Sequence, residues 1–139
     1  MIRNLVYVGA TLALSLVVAQ GADKKAVDLA KIPPASDKTG VTYATDIKPI
    51  LDKACIKCHG TEKAKAKLRL DSLTAALKGS EHGKVILPGN SLGSTLVHNV
   101  AHAGKPDDYM PPPRNKANIL PLTKEQIGLI RAWIDQGAR

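Results

Sequence analysis

The chain has 139 residues and a formal net charge of +8, from 20 Lys and Arg against 12 Asp and Glu. That length fits one domain with a modest core. Apolar residues make up 44% of the composition but aromatic residues only 3%, with no Phe. So few stacking rings make nucleic acid a poor partner for this basic chain, and the charge points instead to acidic proteins or an anionic membrane surface.

Residues 1–21 predict a secretory signal: Arg3 supplies a positive start, and Leu5 to Ala19 form an apolar run ending in small residues, with a cut after Ala19 or Gly21. The alternative is a retained anchor, although the run falls short of the roughly 18 to 20 apolar residues that span a bilayer. The signal predicts export to the periplasm or another extracytoplasmic space. Residues 22–40 are polar and carry Lys24, Lys25, Pro33, Pro34 and Ser36, which predicts a flexible arm. The domain proper is expected over 41–139.

Thr45 or Asp46 is expected to cap a first helix with apolar positions Ile47, Ile50, Leu51 and Ala54, which runs into Cys55. Lys63, Lys65 and Lys67 read as a solvated surface. A short helix capped by Asp71 or Ser72 and closed by Gly79 comes after Leu68-Arg69-Leu70. Ser91 or Ser94 opens a third helix containing Leu92, Leu96, Val97 and Val100, and Gly104 to Pro121 is loop. The last helix is the best marked: Thr123 and Gln126 make a capping box, Leu122 and Ile127 a staple, and Ile127, Ile130, Trp133 and Ile134 one face ending at Gly137. The expected fold is all-α, about four helices with long loops.

Cys55-Ile56-Lys57-Cys58-His59 is the pattern for covalent haem attachment. Two thiols one helical turn apart fall on one side of the backbone, where each adds to one vinyl group of a porphyrin, and His59 then ligates the iron. One haem c would also supply bulk that the ring-poor core lacks. A thioredoxin-type site is expected on a βαβ pattern that this sequence lacks, and a zinc site needs a second ligand pair for which His98 and His102 are the nearest approximation. Met110 is the candidate sixth ligand, as the one methionine after Met1, in Tyr109-Met110-Pro111-Pro112-Pro113. His82, His98 and His102 are the alternatives to it. Arg69 is a candidate for binding a propionate, since guanidinium matches carboxylate geometry.

In this order the motifs resemble a class I c-type cytochrome, and more closely the planctomycete-type cytochrome c domain: Asp46-Ile47-Lys48-Pro49-Ile50-Leu51, Cys55 to Gly60, Leu68-Arg69-Leu70-Asp71-Ser72, Leu87-Pro88-Gly89-Asn90, Met110-Pro111-Pro112, and Leu122-Thr123 leading to Ala132-Trp133-Ile134-Asp135-Gln136-Gly137-Ala138. The resemblance implies a small helical fold around one covalent haem with His59 and Met110 as iron ligands. The expected role is a monomeric single-electron carrier, not an enzyme, that docks on acidic patches of redox proteins and lies near the membrane. Two other readings are a haem peroxidase or gas sensor with Met110 unbound, and a zinc-binding interaction module.

Overall fold

Pro49 decides how the first helix begins. A proline has no N–H to give the carbonyl four residues back, and the chain enters the helix through one wide turn, Tyr43–Ile47, in which the Lys48 N–H reaches the Tyr43 carbonyl. The cap therefore lies upstream of the expected Thr45 or Asp46: Thr42 Oγ1 accepts the Thr45 N–H at 3.3 Å, and Asp46 returns the contact by accepting the Thr42 N–H at 3.0 Å. Lys38 pairs with the Asp46 carboxylate, and its hydrogen bond holds that carboxyl below the usual range.

The computed structural model describes residues 26–139, and the signal expected at 1–21 lies outside them. Among the described residues five α-helices occur in order: α1 (Lys48–Ala54), α2 (Ile56–His59), α3 (Leu73–Lys78), α4 (Thr95–Val100) and α5 (Lys124–Asp135). There is no strand among the described residues, so the all-α expectation holds. The helix count rises from about four to five because Cys55, at φ −126°, separates α1 from a further turn that carries the second cysteine and the histidine. None of these helices is long and apolar enough to cross a membrane.

The expected capping box of α5 forms in full, with Thr123 and Gln126 each bonding the other's backbone N–H. Ile127, Ile130, Trp133 and Ile134 are buried along one face, and Gly137 closes the helix at φ +100°. Ser72 caps α3. Ser94 precedes α4, where its hydroxyl accepts the Leu87 N–H and donates to the Asn90 carbonyl. Leu92 falls outside α4 and is exposed. Ser91 instead ties to α5, with its N–H and hydroxyl on Asp135 at 2.8 and 2.9 Å.

The first and last elements meet through two of the chain's few rings. Tyr43 and Trp133 lie 5.9 Å apart at a 47° tilt, an arrangement in the favourable range for aromatic pairs. The Trp133 indole and the Tyr43 N–H both donate to the Arg139 carbonyl, at 2.9 and 2.8 Å. The Tyr43 hydroxyl donates to the Leu70 carbonyl at 2.8 Å. That contact joins the helical core to the segment beside the cysteines, and burial pushes the phenol pKa up to about 12.

The arm departs from expectation. Residues 26–40 do not trail free but lie against the segment after α4 and along α5: Ile32 is buried, the Asp28 N–H reaches the Ala103 carbonyl at 2.8 Å, and the Ser36 N–H reaches the Gly128 carbonyl at 2.9 Å. Arg131 and Gln136 donate to the carbonyls of Pro33 and Lys38. The physical reason is Gly128, where a Cβ would sit 2.9 Å from the Pro34 carbonyl oxygen. In an open helix Gly→Ala stabilises by about 1 kcal/mol. Here Gly128→Ala is expected to destabilise by roughly 1–3 kcal/mol and to speed proteolysis at 33–37. A stabilised, equally resistant variant would show that the arm is not seated on α5.

Candidate haem-attachment site

The Cys55–His59 segment is bent into place by the residues just after it. At Gly60 a Cβ would sit 2.5 Å from the Ile56 carbonyl oxygen, and the Gly60 N–H closes a tight loop onto the Lys63 carbonyl at 2.7 Å. The chain returns alongside as Leu68-Arg69-Leu70, with the Leu70 N–H on the His59 carbonyl at 2.7 Å. The His59 ring Nδ1 faces the Leu68 carbonyl at 3.3 Å. A carbonyl only accepts, so this contact places the proton on Nδ1 and leaves the Nε2 lone pair free to ligate a metal. His59 is 8% exposed, and burial lowers its pKa, which keeps the imidazole in the neutral form that binds metals.

Cys55 is buried and Cys58 half-buried, and both thiols are free. Burial, and then the neighbouring Cys58, push the Cys55 pKa up to about 12. A thiol-exchange site needs an accessible thiol of depressed pKa, and Cys55 is neither accessible nor depressed. Among the described residues no three His, Cys, Asp or Glu side chains gather to hold a metal, which leaves the zinc reading without a ligand set.

Cys55, Cys58, His59 and Met110 all line one cavity of about 410 Å³, within the usual size of cofactor sites. Its far wall is the loop from Met110 to Ile119. Asn115 gives that loop its shape: its amide donates to the carbonyls of Pro112 and Ile119 at 3.0 and 2.9 Å, and accepts the Ile119 N–H at 2.8 Å. Two thiols, one imidazole with Nε2 free and a thioether facing one mainly apolar space are a donor set that fits haem c.

His82, His98 and His102 are absent from the cavity lining. Nor does Arg69 line it. Side chains alternate along an extended stretch, so with Leu68 and Leu70 buried Arg69 turns outward and forks onto Asp71 at 2.9 and 2.7 Å. Arg114 lines the cavity in its place, with Lys57, Lys63, Lys65 and Lys116, and no acidic residue does. None of these five cations has an ion-pair partner among the described residues. Arg114, Lys116 and Asn115 escaped sequence reasoning because a Pro-rich loop has no periodicity to read; the Asn between two cations was the one available signal.

Residues 55–114 match the family model of planctomycete cytochrome C. The matched stretch starts at the first cysteine and includes His59, Met110 and Arg114, so the planctomycete-type cytochrome c resemblance holds over it, while the blocks before Cys55 and after Arg114 lie outside the match. No curated protein and no solved structure matches the chain significantly. A cytochrome c domain implies haem c and an electron-transfer role, and Cys55 and Cys58 have the spacing its attachment needs. Such domains are usually extracytoplasmic.

Proposed function

We propose that the protein is an extracytoplasmic, monomeric, single-electron carrier, not an enzyme, with one haem c held by Cys55 and Cys58 and ligated by His59 and Met110. The observation that carries this is the shared cavity: the attachment motif and the only methionine after Met1 face one space, and the other histidines do not. When bound, haem c supplies a one-electron Fe(III)/Fe(II) couple, at a higher potential with His/Met than with bis-His ligation.

The chain's own part is to bind, orient and shield. Cys55 and Cys58 would hold the haem as thioethers, each vinyl group taking up one sulfur and its proton. His59 presents Nε2 because Leu68 holds Nδ1, and Met110 presents its sulfur from a loop closed by Asn115. The five cations around the cavity offset the propionates, with Arg114 taking the role expected of Arg69, and their surplus steers the encounter with acidic patches on a donor and an acceptor. The same charge favours an anionic membrane surface. The peroxidase or sensor reading requires Met110 to be unbound.

The absorption spectrum of the oxidised holoprotein tests the ligation. A weak far-red methionine-to-iron band is expected, and Met110→Ala is expected to abolish it and give a high-spin spectrum. A wild-type protein that is already high-spin would overturn the reading in favour of the enzyme or sensor.

A further inference from the structure

Met110 is tied to the end of α4 by contacts that lie outside the cavity lining. The Asn99 carbonyl accepts the N–H of Met110 at 3.0 Å and that of His102 at 3.2 Å. Beside this shared anchor the Tyr109 ring lies flat on the His102 imidazole, with centroids 4.4 Å apart and planes parallel.

His102 occupies this place at some cost. Its backbone is left-handed, φ +51°, a region uncommon for any residue with a side chain, though His, Asn and Asp enter it more often than the others. Its Nε2 is buried without a hydrogen-bond partner, which is also unfavourable. His98, one turn earlier on α4, shows the ordinary alternative: it is satisfied by the Leu92 carbonyl at 2.7 Å. Backbone strain and an orphaned polar atom together are the mark of a residue kept for what it holds rather than for its own stability. What His102 holds is the ring next to Met110.

We infer that His102 is a positioning residue: through its stack on Tyr109 it keeps the Met110 sulfur at the cavity and sets how often the sixth ligand lets go. The inference rests on Met110 being that ligand. The ligand loop then has a closed state, with the stack made, and an open state without it. An exogenous ligand competes only for the open state, so its apparent affinity reports the open fraction.

The test uses the haem-loaded protein and three readouts: the far-red methionine band, the midpoint potential and the apparent Kd of added imidazole. In His102→Ala and Tyr109→Leu the band is expected to weaken and the potential to fall, while imidazole binds about three- to tenfold more tightly, the range a lost aromatic pair implies. Tyr109→Phe and His102→Phe keep two stacked rings and are expected to behave like wild type, as is His98→Ala, which removes the neighbouring histidine on α4. If His102→Ala fails to mature, Tyr109→Leu against Tyr109→Phe decides alone. Wild-type values in Tyr109→Leu overturn the inference, and so does an equal effect of His98→Ala. A wild-type protein without the methionine band overturns the ligation itself, and that result is visible before any variant is made.

Discussion

The double variant Cys55→Ala, Cys58→Ala is expected to weigh only its amino acids and to give no pyridine haemochrome absorbance. Both cysteines line the cavity with His59, and without thioethers the haem would depend on the His59 and Met110 bonds and apolar contact alone. Each single variant keeps one thioether and is expected to retain part of the haem. The double variant should also melt well below the holoprotein, because a ligand that binds only the folded state stabilises it and because the space of about 410 Å³ then has nothing apolar to fill it. A double variant that kept its colour through denaturation would show that attachment lies elsewhere.

Trp133→Ala is expected to cost about 3–5 kcal/mol and to lower the melting temperature by on the order of 10–20 °C. The ring is 0% exposed, packs on Tyr43 and donates to the Arg139 carbonyl at 2.9 Å. The chain has no Phe, and the one ring beside it, Tyr43, is held by its hydroxyl on the Leu70 carbonyl, so no large ring is free to shift into the space. Trp133→Phe keeps most of the volume and loses the indole bond, so a smaller loss of about 1–2 kcal/mol is expected. Denaturant unfolding of the two variants separates packing from hydrogen bonding. A cost below about 1 kcal/mol for Trp133→Ala would mean that the core is not organised around this residue.

What could be read in advance tracks how local the controlling physics is. The start of α5 was legible because Thr123 and Gln126 satisfy each other within one turn, and the attachment motif because its chemistry is contained in five adjacent residues. The start of α1 was misplaced by a few residues, since Asp46 reads equally as a cap and as the partner that bonds back to Thr42. The seating of the arm was illegible because it depends on an absent side chain: Gly128 lies some 90 positions away from the segment it admits. The orientation of Arg69 is written in its neighbours. Two leucines flanking an arginine on an extended stretch already imply that the arginine faces away from whatever the leucines face. The cations that do line the cavity come from separate parts of the chain, Lys57 to Lys65 and Arg114 to Lys116, and only the fold brings them together.

Asn115 closes the 112–119 loop on itself, with no side chain from the rest of the molecule in those bonds. Such a wall has its dipoles fixed before any electron arrives, and it has little reason to relax when the site gains or loses one charge. The energy lost to rearranging the surroundings at each hop should then be small, so that electron exchange between two copies of the protein would be fast, and faster than in a chain where this amide has been removed.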